Sequence, residues 1–424
     1  DRPFFEAIQD GLTRVGAASF SLVPDRFETW SDRASSECPN NRIHRFDGQL
    51  DNAKPEDPCA DTFDDADSDG VFDAIWLGGP GLDRPAKDVD SDNPPEGRVL
   101  IIARDDALSV ILTFDLFELD RGRIELLTDR LRRRLGLGPH VLSIHSTGVR
   151  SGPDATGLAG PSRRVSASLQ QDAFHRRSRG AFAFLDNLPV DSGLDEDWFH
   201  RVVVRADAAI RQAVDDLTPV AFRKTQQTLP VQPIDPDASA TIRMMLDSET
   251  AGMDADSSDL DRWRDVLFGF AREHQLPGVV DNQLKAISFD SLETSRTHVV
   301  LMSWGAIPAF EADGVVLSGD YIGVVRNLVE ERWPGATAVW LTSSSSDTFR
   351  AGQSVFIPAV DSDGRFLNGD NQVVDELSEA VSAAQPMASL ATYLVARIQQ
   401  GLSNQISEQV RFSKKQRSLW LELP

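Results

Sequence analysis

The residues best suited to chemistry in this chain are carboxylates. Asp65-Ala66-Asp67-Ser68-Asp69-Gly70-Val71-Phe72-Asp73 sets three aspartates at alternate positions, then a glycine, then a fourth aspartate. Alternate side chains of a tight loop can converge on one point, and a hard cation such as calcium needs several oxygens there, with a glycine at the sharp turn. Asp65, Asp67, Asp69 and Asp73 are therefore expected to hold calcium; otherwise they form a solvated acidic turn. Asp361-Ser362-Asp363-Gly364 is a shorter version of the pattern. Cys38 and Cys59 stand just upstream of the acidic stretch. Two thiols close in sequence in a long chain suit a local disulfide, with two free thiols as the alternative, and a disulfide points to a secreted, periplasmic or cell-surface protein.

A second constellation lies in residues 141–161, V-L-S-I-H-S-T-G-V-R-S-G-P-D-A-T-G-L-A-G-P. An apolar run suited to a buried strand passes into a Gly-, Ser- and Pro-rich loop, and in α/β sheets ligands gather at such junctions. Its tail, Ser151-Gly152-Pro153-Asp154 with Gly157, resembles the neutral/alkaline ceramidases, secreted zinc amidohydrolases whose pattern looks like S-x-T-H-T-H-S-G-P-D-T-x-G. Gly148 and Arg150 stand where that pattern has its two histidines. Ala86-Lys87-Asp88-Val89-Asp90 is similar to the family's P-A-x-G-V-H-D, with Asp90 in place of the first zinc histidine. Ser303-Trp304-Gly305-Ala306-Ile307-Pro308 is similar to N-[FW]-A-x-H-P, with Ile307 in place of another histidine. Ser318-Gly319-Asp320-Tyr321 resembles S-A-D-[YW], in which Asp320 sets a helix start, and Ser343-Ser344-Ser345-Ser346-Asp347 takes the place of a G-x-x-G-D loop.

The resemblance implies a ceramidase-like catalytic-domain fold whose zinc site is degraded at Asp90, Gly148, Arg150 and Ile307. A hydrolytic zinc needs deprotonated ligands around an open position, and a guanidinium repels it, so zinc is not expected. The implied role is a binding or assembly subunit for a protein or a lipid-like ligand. The alternative is a divergent metal-dependent hydrolase of lipid amides or other amides and esters, with Asp90, His145, Asp320 and Asp347 in a rearranged site. A lone histidine at a strand end such as His145 is as well explained as a structural or surface residue. No G-x-S-x-G, P-loop or dinucleotide-binding pattern occurs.

Apolar or alternating runs predict strands over residues 15–24, 98–103, 108–116, 141–144, 220–228, 280–289, 297–304, 339–342 and 410–421. Helical spacing predicts helices over 4–15, 121–135, 197–217, 260–274 and 373–402, the last broken at Pro386. Strand, helix and strand over 108–144 make a βαβ unit, for which parallel pairing is the default. The expected class is α/β, a mixed, largely parallel sheet with flanking helices and acidic loop insertions. An N-terminal arm, 1–14, precedes one domain, 15–424, with an acidic insert at 32–73 and its best internal boundary at 229–259.

The 424 residues carry 43 Lys+Arg against 66 Asp+Glu, a net charge of −23, which disfavours nucleic acid and anionic membranes as partners. No apolar run approaches the roughly 18 residues of a membrane span.

Overall fold

The computed structural model describes residues 10–25, 28–31, 62–64, 75–78, 84–137, 141–157, 159, 196–229, 283–311, 314–343, 357–375 and 379–405. Cys38, Cys59, Asp65, Asp67, Asp69, Asp73 and Asp347 lie outside them, as do the runs 260–274 and 410–421. Eight strands and four helices build the body: β1 (Thr13–Ser21), β2 (Glu96–Arg104), β3 (Ala107–Phe114), α1 (Arg121–Leu135), β4 (Leu142–Ser146), α2 (Glu196–Asp215), β5 (Thr218–Thr228), β6 (Gln283–Ser291), β7 (Thr297–Trp304), α3 (Asp320–Arg332), β8 (Thr337–Thr342) and α4 (Pro386–Ser403).

Local chemistry explains the boundaries. Asp120 caps α1 by accepting the Arg123 N–H, and Gly136 closes it in the left-handed region at φ 65°. Leu127, Leu131 and Leu135, four residues apart, form its buried stripe, and each such leucine contributes roughly 1.5–3 kcal/mol over an exposed one. Pro386 sits in the first turn of α4, where its missing N–H costs nothing; it opens that helix instead of breaking a longer one. The predicted start at 373 is corrected accordingly: Val373–Val374 pairs with Phe366–Leu367 in a short hairpin. At the other end, Thr13 and Arg14 already pair with β2, so the strand takes the last residues assigned to the arm and helix 4–15.

The strands run in the order β8-β7-β6-β5-β1-β2-β3-β4. The sheet is mixed, as expected, and the βαβ unit is parallel, β3 beside β4. Parallel pairing also joins β7 and β8. It is confined to these two ends, and the five ladders between them are antiparallel, which corrects the expectation of a largely parallel sheet. The two-residue turn Asp105–Asp106 makes β2 and β3 antiparallel neighbours and residues 292–296 do the same for β6 and β7, whereas α1 and α3 supply the crossovers of the two parallel pairs.

The order repeats. Strands β1, β2 and β3, helix α1, strand β4 and helix α2 are followed by β5, β6 and β7, α3, β8 and α4 with the same pairing directions. Within the eight-stranded sheet the halves are joined where Arg14 and Val15 meet Pro219 and Thr218. From that seam the sheet doubles back, because β8, farthest from β4 in pairing order, touches β2 and β3. Period-two alternation then serves three cores. Leu100, Val299 and Val339 fill the space between the halves; Val99, Ile101 and Leu112 face α1 and α2; Val300, Met302 and Trp340 face α3 and α4. The layers are helix, sheet, sheet, helix.

Candidate functional site

The repeat brings equivalent strand ends together. After β4, the Thr147 N–H donates to the Phe114 carbonyl at the end of β3, 2.9 Å away; after β8, Ser343 donates to Trp304 at the end of β7, 3.0 Å away. Thr342 Oγ1 then donates to the Thr147 carbonyl across 2.6 Å, joining the two ends. The Gly-rich loop leaves from this junction, as a strand-to-loop transition in an α/β fold should.

Each residue of the S-G-P-D signature has a packing role. Ser151 is fully buried, and its hydroxyl lies 3.2 Å from both the Ser318 carbonyl and the Ser318 hydroxyl. Gly152 admits no side chain, because a Cβ there would stand 2.1 Å from the Asp115 carbonyl oxygen. Pro153 bridges to Leu77. Asp154 accepts the Thr156 N–H and hydroxyl on one oxygen and the Ala159 N–H on the other, folding the turn. Gly157 has φ 73°, the left-handed region that favours glycine.

Of the sequence-predicted positions Asp90, His145, Gly148, Arg150, Ile307 and Asp320, which are among the described residues, all but one gather around this loop. Gly148 donates to the Leu116 carbonyl at 3.0 Å, and Arg150 donates its main-chain N–H to Pro308, next to Ile307. The Arg150 guanidinium lies 5.4 Å from the Phe117 ring centre, a cation stacked on an aromatic face. Ile307 is buried against Ala309. Asp90 Oδ1 accepts the N–H groups of Asp92 and Asn93, and the Asn93 side chain donates to the Asp320 carbonyl at 2.8 Å, so Asp90 and Asp320 are linked through one asparagine. His145 is the exception. It is exposed on β4, with Nε2 2.9 Å from Ser143 Oγ.

Asp320 is the most unusual group here. It opens α3, as expected, but with φ 51° and no exposure at all. Its Oδ1 accepts from Tyr321 N and its Oδ2 from Glu311 N. Burial raises its pKa to about 7, against the lowering effect of those amides. A strained, buried carboxylate near neutrality marks a functional-site candidate, although both oxygens already hold backbone.

Sequence reasoning missed Arg326. It reaches from α3 to Asp115 after β3, with both side chains essentially fully buried and N–O distances of 3.0 and 2.5 Å. Thr147 Oγ1 and Glu96 N complete the Asp115 shell. An arginine on a helix otherwise rich in valine and isoleucine was the one available signal. The shorter acidic turn is also explained without a cation: Asp361 Oδ1 accepts the N–H groups of Asp363 and Arg365, and Arg365 pairs with the same carboxylate. Among the described residues, no three His, Cys, Asp or Glu side chains stand together as a metal site.

No family model matches the sequence. No curated protein matches it either. Among solved structures, the chain is similar to neutral ceramidase from Pseudomonas aeruginosa, with TM-score 0.50 and 12% identity over 94% of this chain and 46% of that one. A ceramidase complexed with C2 gives TM-score 0.48 at 12% identity, over 94% and 45%, too low to add to the argument. The chain spans about half the length of the structures it matches. The first likeness establishes a ceramidase-like α/β fold and nothing finer.

Proposed function

We propose that this chain is a ceramidase-like domain that has lost zinc-dependent amidohydrolase chemistry and serves as a binding or assembly subunit, outside the cell or at its surface. One observation supports the reading: the loop that resembles the ceramidase pattern is ordered by its own residues, while the four positions matched to zinc ligands carry no convergent set of donors. Gly148 has no ligand atom, Arg150 stacks a cation on Phe117, Ile307 is apolar and buried, and Asp90 holds two backbone amides. A zinc site requires several deprotonated donors converging on one point, and of these four residues Asp90 alone carries a carboxylate. The partner is a protein or a lipid-like ligand; the net charge of −23 argues against nucleic acid.

The test is zinc content and ceramide hydrolysis for the full chain purified without chelator. The expected outcome is no stoichiometric zinc and no amide turnover. Bound zinc together with turnover would establish the alternative, a divergent hydrolase; the buried Asp320 is the observation that favours it.

The same reading includes a structural calcium at Asp65, Asp67, Asp69 and Asp73 and a Cys38–Cys59 disulfide. What supports the calcium is the spacing of the carboxylates and their place in the chain. The next residues, 75–78, are clamped to the signature loop by Asp154 N to the Trp76 carbonyl at 2.7 Å and Gly78 N to the Gly152 carbonyl at 3.0 Å. A cation that binds only the folded loop should raise the melting temperature with the logarithm of its concentration. Melting in calcium, magnesium and chelator, for the native chain and Asp67→Ala, checks this; the expected result is a calcium-specific rise lost in the variant. Thiol titration of the unreduced, denatured chain should find no free cysteine.

A further inference from the structure

His145 is set apart from the loops around Asp90, Gly148, Arg150 and Ile307, and its hydrogen-bond partner among the described residues is a serine. Leu142 and Ile144 of β4 pack toward α1 and α2, so Ser143 and His145 share the opposite face of the strand, where both are exposed. Ser143 Oγ and His145 Nε2 are 2.9 Å apart, within the range of a nucleophile and its base. Partial desolvation of the ring lowers its pKa even though the residue is exposed, which keeps the imidazole neutral and able to take a proton. Thr113 pairs with His145 in the ladder and so lies on the same face; it is fully buried, and its hydroxyl has no hydrogen-bond partner among the described residues.

The ladder also supplies an oxyanion donor. Val110 N donates to the Val141 carbonyl and Thr147 N to Phe114, which fixes the phase of the parallel pair. By that phase the N–H groups of Ser143 and His145 turn toward β3. The Ile144 N–H turns to the outer side of β4, the last strand on this end of the sheet among the described residues. The N–H of the residue after the nucleophile is a standard oxyanion donor in serine hydrolases of α/β type.

We propose that Ser143 and His145 form a zinc-independent acyl-transfer site for activated esters, with the Ile144 N–H as its oxyanion donor. Ser143 Oγ attacks the ester carbonyl carbon as its proton passes to His145 Nε2. The tetrahedral intermediate collapses, the carbon–oxygen bond to the leaving alcohol breaks, and that oxygen takes the proton from His145, leaving acyl-Ser143. Water then gives its proton to His145 and attacks the acyl carbon; Ser143 recovers the proton and the carboxylic acid departs. No carboxylate orients Nδ1 among the described residues, so esters with good leaving groups are the substrate class, and amides are not. The site is independent of the zinc question, and its failure would leave the proposed function untouched.

The experiment treats the full chain with a fluorophosphonate probe and with p-nitrophenyl acetate, locating modified residues by peptide mass spectrometry. The expected result is one label on Ser143, absent in Ser143→Ala. In His145→Ala labelling should be slowed about a hundredfold, the scale of general-base assistance, and partly restored by added imidazole. Unchanged melting temperatures for Ser143→Ala and His145→Gln separate chemistry from unfolding. No label on Ser143, a label confined to another serine, or equal labelling of the native chain and His145→Ala would overturn the proposal.

Discussion

Asp320 shows how one residue can be read for type and missed for state. Its place at the head of a helix follows from the S-G-D-Y step, but the sequence has no sign of its positive φ or its complete burial. Those arise because Asn93 grips its carbonyl from a distant loop while Glu311 and Tyr321 donate to its carboxylate. The pKa of about 7 in the fold, against 3.8 ordinarily, gives a pH dependence of definite sign. The unfolded chain releases this proton first, so stability is full below the unfolded value and is lost as pH rises through about 7. The loss is on the order of 4 kcal/mol at 1.36 kcal/mol per unit. In Asp320→Asn, which tolerates left-handed backbone, that slope should vanish. Denaturant unfolding at several pH values from about 4 to about 8, spanning the interval between the two pKa values, tests this: parallel curves for the two proteins would contradict it.

Among elements, the informative contact is between α3 and the end of β3. Arg326 and Asp115 are 211 positions apart and belong to different halves of the repeat, yet they form the most deeply buried ion pair described. Breaking such a pair leaves one charge in an apolar interior, which costs about 3–5 kcal/mol. Arg326→Met and Asp115→Leu should each cost that much in urea unfolding, and the double variant should recover much of the loss. Additive losses would instead mean that each side chain is held by separate neighbours. Only the start of helix α3 was expected, from the resemblance of Ser318-Gly319-Asp320-Tyr321; the charge inside the helix was not legible, because a buried arginine is defined by its partner.

For the whole molecule, the question is what holds two repeats in one register. In the main sheet they meet in a two-residue ladder, and next to it Asp216, in the connector from α2 to β5, accepts from Ala17 N of β1 at 3.0 Å. The same Oδ2 lies 3.1 Å from His298 Nε2 on β7, where the β6–β7 ladder is irregular. The Asp216 contact raises the His298 pKa against the opposing effect of burial. The stabilisation is therefore complete below the ordinary value of 6.5 and is lost as pH rises through the raised one. His298→Gln should lower the melting temperature in mild acid and converge with the native chain in alkali; a constant difference would remove the link. Asp320 and His298 share this sign, so both favour the folded chain on the acid side of neutrality.

The sequence by itself determined much of the local structure and the residue types in the loop. Alternation in residues 297–304 and four-residue spacing in 121–135 are local properties, and the structure reproduces them as Thr297–Trp304 and Arg121–Leu135. The residue types of Gly148, Arg150 and Ile307, where the resembled pattern has histidines, are likewise read from the sequence. Tertiary structure alone decided the antiparallel middle of the sheet, the repeat that doubles it back and the Asp115–Arg326 pair. Each of these depends on which distant segments share a face. That is fixed by the packing of three cores at once, not by the preferences of any one stretch.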